Sequence, residues 1–69
     1  MYYFIIKDIN SEPHFLADMS TGKSWTRTDG QQSRFYTKSF AKKVSSRYSG
    51  SRVINAKEAH DIWDTIINK

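Results

Sequence analysis

Arg52-Val53-Ile54-Asn55-Ala56-Lys57-Glu58-Ala59-His60-Asp61-Ile62-Trp63-Asp64-Thr65-Ile66-Ile67 changes its hydrophobic period part-way along. Arg52-Val53-Ile54 is short and β-branched, which suits a strand. From Ala59 onward Ala59, Ile62, Trp63, Ile66 and Ile67 recur at i, i+3, i+4, i+7 and i+8, one face of a helix. Asn55 followed three residues later by Glu58 has capping-box spacing, with Asn in place of the usual Ser or Thr. The stretch therefore predicts a strand that hands directly to an amphipathic helix. That stripe must be buried against another layer, which argues for an α+β domain.

Upstream, Thr37 can cap a helix by accepting from an otherwise unpaired amide. Phe40, Ala41, Val44 and Tyr48 follow at helical spacing, with Lys42, Lys43, Ser46 and Arg47 on the other side. Gly50 stands where a left-handed stop is expected, which predicts an end near Tyr48 or Ser49. At the start of the chain, Tyr2 to Ile9 is aromatic and β-branched, and Asn10-Ser11-Glu12-Pro13 is a turn-forming cluster. A second strand is expected over His14–Met19, closed by Ser20-Thr21-Gly22-Lys23 to make a hairpin. Ser24–Thr28 and Ser33–Tyr36 flank Asp29-Gly30, a hairpin-turn dipeptide. Either one of them adds a third strand, or the region is a loop with Trp25 and Phe35 tucked beneath it. The predicted architecture is one domain over residues 1–69, a small antiparallel sheet in the order β-β-(β)-α-β-α with both amphipathic helices on one face.

The chain has 69 residues, so it buries only about 60% of the surface exposed when unfolded, which leaves little room for both a core and a catalytic cleft. Cys is absent, so packing alone must hold the fold, as expected of a cytoplasmic protein. The longest apolar run, Tyr2 to Ile6, falls far short of the roughly 20 residues of a spanning helix. It has no basic region before it of the kind a signal peptide carries. The three glycines, Gly22, Gly30 and Gly50, are isolated, so no phosphate-cradling loop or dinucleotide fingerprint can be assembled. His60 and Asp64 lie one turn apart on the final helix, but two ligands are too few for a firm metal site, and an exposed hydrogen-bonded pair is the simpler expectation. No enzyme activity, cofactor or metal is expected.

Charge is unevenly placed. Between Gly30 and Lys57 lie Arg34, Lys38, Lys42, Lys43, Arg47, Arg52 and Lys57 with no acid, a block of +7, while the rest of the chain carries −3. A helix whose exposed side lacks Glu–Lys pairs forgoes a few tenths of a kcal/mol per pair and adds like-charge repulsion. Phosphate backbones are common polyanions that supply the missing counter-charge. Candidate nucleic-acid contacts are Lys38, Lys42, Lys43, Arg47, Arg34 and Arg52, with Trp25 and Tyr36 as stacking rings. Phe40 and Tyr48 are assigned to the core. A basic face that serves solubility and a docking surface for a protein remain as alternatives, and the chain is expected to act as a monomer or weak dimer.

Arg34-Phe35-Tyr36-Thr37-Lys38-Ser39-Phe40-Ala41-Lys42-Lys43 resembles the strand-to-helix junction of the arm-binding N-terminal domains of phage-type tyrosine integrases. That resemblance implies a three-stranded sheet entering a DNA major groove with a helix packed behind it. The pattern departs after Gly50, where this chain appends a strand and a long helix. The whole layout, with Trp25, Phe35, Thr37, Ala41 and Val53 as its markers, also resembles short early-expressed phage proteins, some of which block a host enzyme or defence system. That second resemblance implies an accessory protein that docks on a host protein in the host cytoplasm, and it assigns no residue a role.

Overall fold

A computed structural model of the chain describes residues 2–19, 22–27 and 32–67, without the side chains at positions 18, 19, 23 and 67. Four strands, β1 (Tyr3–Ile9), β2 (Glu12–Met19), β3 (Gly22–Thr26) and β4 (Ser51–Asn55), and two helices, α1 (Lys38–Ser45) and α2 (Ala56–Ile67), make an α+β fold. The sheet is antiparallel throughout, in the order β3-β2-β1-β4. The third strand is thus the Trp25 segment. Asp29-Gly30 and Ser20-Thr21 lie outside the described residues.

The β1–β2 turn is tighter than the run Asn10–Pro13 suggests. Ile9 pairs with Glu12, leaving only Asn10 and Ser11 in the turn, both at positive φ (54° and 66°). This is the backbone of the two-residue turns that match strand twist, and it lets β2 begin at Glu12 instead of His14. Pro13 is therefore a strand residue opposite Asp8. The loss of its N–H is tolerated because β3 ends at Thr26, opposite Phe15, and offers Pro13 no strand neighbour on that side. Asn accepts the left-handed region readily and Ser does not. Ser11→Gly is expected to raise stability by about 0.5–1 kcal/mol, read as a higher midpoint in urea with an unchanged slope.

The helices lie on opposite faces of the sheet, a correction to the expectation that both cover one face. Phe4, Ile6, Phe15 and Ile54 cluster with Ala59 and Trp63 of α2, and Ala56, Ile62 and Ile66 add to them. The alternate positions Ile5 and Leu16, with Phe35, cluster with Ala41 and Val44 of α1, joined by Tyr3, Trp25, Tyr48 and Val53. Neighbouring residues of β1 point to opposite faces, so an unbroken Phe4-Ile5-Ile6 requires a cover on each side. Both sheet faces therefore carry a helix, and neither is bare in the way the integrase resemblance implies.

Thr37 caps α1, its Oγ1 accepting from the Phe40 amide at 3.3 Å. The helix stops at Ser45, earlier than the position of Gly50 suggests. Amides of Arg47 and Tyr48 donate to the carbonyls of Val44 and Ser45, tightening the chain into a turn before Gly50 (φ 80°). Ser45 is buried and its hydroxyl meets that of Ser51 at 2.7 Å. The buried face of α1 is thus Ala41, Val44 and Ser45, continued by Tyr48. At about 100° per residue its centre lies about 90° from Phe40, so Phe40 is 55% exposed instead of buried. Asn55 caps α2 as its spacing predicts, accepting from the Glu58 amide at 2.9 Å.

β1 and β2 pair from Ile9↔Glu12 as far as Ile6↔Phe15 and then fork. Into the fork comes the segment before α1, with bridges Tyr3↔Phe35 and Ala17↔Gln32. Tyr3 and Phe35 exchange backbone bonds of 2.7 and 2.9 Å, and the Ser33 amide donates to Leu16 at 2.8 Å. Phe35 is buried there, as the loop alternative has it, while its neighbours Arg34 and Tyr36 stay exposed.

Candidate nucleic-acid interface

Lys38, Lys42 and Lys43 are exposed on α1, and Arg47 is exposed in the turn after it. Among the described residues, ion pairs join Arg27 to Glu12 (2.6 Å) and Arg52 to Asp8 (3.5 Å), and none reaches these four cations. Lys38 and Lys42 are one turn apart, as are Lys43 and Arg47, so like charges stack along the helix surface. Part of that repulsion is offset at the C-terminal end, where Lys42 and Lys43 sit in the last turn against the negative end of the helix dipole. The first turn holds no acid to balance Lys38. Lys38 lines a small depression with Tyr3, Asn55 and Glu58, which brings an acid near it without an ion pair.

The remaining predicted contacts divide. Arg34 and Tyr36 emerge from the fork at the N-terminal end of α1. Tyr36 is 73% exposed, and its ring meets Tyr2 edge-on at 5.2 Å. The Arg34 guanidinium lies 5.4 Å from the centre of the Tyr2 ring, within cation–π range. Arg52 and Trp25 lie elsewhere. Arg52 pairs with Ile6 on β1 and so projects from the α2 side of the sheet, where it meets Asp8. Trp25 is half-buried under α1, edge-on to Tyr48 at 5.6 Å, with the Lys7 ammonium 5.8 Å from its ring. Trp25 is thus packed against the α1 cluster, away from the N-terminal end of α1 where Tyr36 and Phe40 are exposed. Two exposed rings were not singled out from the sequence as contacts: Tyr2 (38%) and Phe40 (55%). A wheel drawn over the capped helix, counting Ser45 as buried, would have exposed Phe40.

On the α2 side the fork also opens a cleft of about 530 Å³. Phe4 and Trp63 form its floor, Tyr2, Gln32 and Arg34 one wall, and Ala56, His60 and Asp64 of α2 the other. His60 and Asp64, one turn apart, are both exposed on its rim, and the His60 ring stands edge-on to Trp63 at 6.4 Å. Among the described residues no three His, Cys, Asp or Glu side chains gather as a metal site. No described helix is long and apolar enough to cross a membrane. No family model, curated protein or solved structure matches the chain.

Proposed function

We propose that this domain binds nucleic acid by laying the solvent side of α1 along a phosphate backbone, with Tyr36 and Phe40 offering ring faces to unpaired bases. One observation carries the reading: exposed cations without acidic partners, Lys42, Lys43 and Arg47, lie on α1 and in the turn after it, and the two most exposed large rings, Tyr36 and Phe40, lie at the N-terminal end of the same helix. Cations follow a backbone by charge alone, and exposed rings stack on bases of any identity. Because helices cover the sheet, the helix surface is the face offered, and single strands suit it better than a duplex groove. Fluorescence anisotropy with labelled oligonucleotides at low salt tests this. Single strands are expected to bind about tenfold or more tighter than a blunt duplex, given roughly 1–3 kcal/mol per stacked base. Absence of binding to either would refute the proposal.

A second reading keeps the same surface. Exposed Tyr2, Tyr36 and Phe40 beside Arg34 are also the residue types that anchor protein interfaces. A phage-type accessory protein docking on a host protein would use them as anchors and the lysines for steering. Such a protein would show little affinity for oligonucleotides, so the same titration separates the two.

A further inference from the structure

We infer that the cleft between the fork and α2 receives one unpaired base of a single strand whose phosphates lie on α1. This rests on the nucleic-acid reading above and adds to it a second, base-holding element on the other side of the sheet.

The size and lining fit such a guest. About 530 Å³ lies within the roughly 300–1,000 Å³ typical of small-ligand pockets, which are mostly apolar with a few placed polar groups. Here the apolar floor is Phe4 and Trp63, and the accessible wall is the half-exposed Tyr2 ring. A planar ring entering beside Tyr2 finds an aromatic face next to a guanidinium, the two side-chain types on which unpaired bases stack. Across the mouth, the Asp64 carboxylate can accept from an exocyclic amine, and His60 offers a ring nitrogen. The cleft thus suits a flat ring with a polar edge attached to an anion. A purely aliphatic guest would leave Arg34 and Asp64 desolvated without partners, and a bare anion would gain from Arg34 only to face Asp64.

Position links the cleft to α1. Tyr2 forms its wall and touches Tyr36, and Tyr36 immediately precedes Thr37, the cap of α1. A strand leaving the N-terminal end of α1 passes Tyr36, then Tyr2, and then reaches the cleft mouth, where Arg34 can hold the phosphate of the inserted nucleotide.

The test is an NMR titration that follows the Trp63 indole N–H and the backbone amides of α1 separately. A short single strand is expected to move both together. A blunt duplex, or a single strand lacking bases, is expected to move α1 amides and leave Trp63 in place. Tyr2→Ala, a change at a partly exposed side chain, is expected to weaken single-strand binding about tenfold with duplex binding and melting temperature unaltered. Movement of α1 amides by the single strand without movement of Trp63, or a Tyr2→Ala variant that binds as the parent does, would overturn the cleft assignment while leaving α1 as the backbone contact. Movement of Trp63 alone would also overturn it, because the cleft would then act without the helix. No movement of either would remove both proposals.

Discussion

Trp63→Ala is expected to remove much of the stability of the domain. Trp63 is only 7% exposed, stacks on Phe15 at 4.3 Å and 18°, and meets Phe4 edge-on at 5.5 Å. Truncating a buried Trp costs about 3–5 kcal/mol, and it would also remove both of these ring pairs, each worth about 0.5–1.5 kcal/mol beyond area. A chain of this length has on the order of 3–10 kcal/mol in total. The loss should appear in thermal denaturation as a fall of at least about 15 °C, since each kcal/mol shifts a domain of this size by about 4–8 °C. Trp63→Phe should be far milder. The indole nitrogen is buried without a hydrogen-bond partner, so Phe keeps the ring stack and removes an unsatisfied donor. A Trp63→Ala variant that melts within a few degrees of the parent would mean that α2 does not pack as described.

The second large effect is on binding. Replacing Lys42 and Lys43 together by Glu removes two charges at each site, taking the net charge from +4 to zero. Each site exchanges an attraction of about 1 kcal/mol at close range in water for a similar repulsion. Single-strand affinity at low salt should fall on the order of a hundredfold or more, equally for all sequences, because phosphate contacts position without reading bases. Stability should fall by no more than about 1 kcal/mol, since no acidic partner is lost and the unfavourable Glu charges at the negative end of the helix dipole are partly offset by new pairs with Lys38 and Arg47 one turn away. A protein-docking surface would respond differently, with slower association and a largely unchanged complex.

Local signals were legible in the chain, and most long-range ones were not. The caps at Thr37 and Asn55, the stripe on α2 and the strand character of Arg52-Val53-Ile54 each depend on residues within a few positions of one another. The placement of the helices on opposite faces was also written in the sequence. Phe4-Ile5-Ile6 and Phe15-Leu16-Ala17 are apolar at every position, and all six residues are buried, which is the signature of strands covered twice. Reading the two helical stripes by themselves misses it. The start of β2 was hidden because Pro13 argues against a strand until Asn10 and Ser11 are seen to close the turn alone. Of the proposed contacts, the cations were plain from charge spacing. Whether a ring is exposed depends on which side of α1 turns inward, and that is the side of Ala41, Val44 and Ser45, packed on Ile5, Leu16 and Phe35. The cleft could not be read at all. Its walls come from residues 2–4, 32–34 and 56–64, brought together only by the fork in the sheet.

Salt dependence of oligonucleotide affinity is the measurement on which the proposed function stands. On a single strand each phosphate contact contributes about −0.7 to the slope of log K against log salt. With Arg34, Lys42, Lys43 and Arg47 engaged, the parent chain should give a slope near about −3, and the double Glu variant about half of it or less. A slope near zero for the parent, or one that the double reversal leaves unchanged, would contradict binding through the basic side of α1.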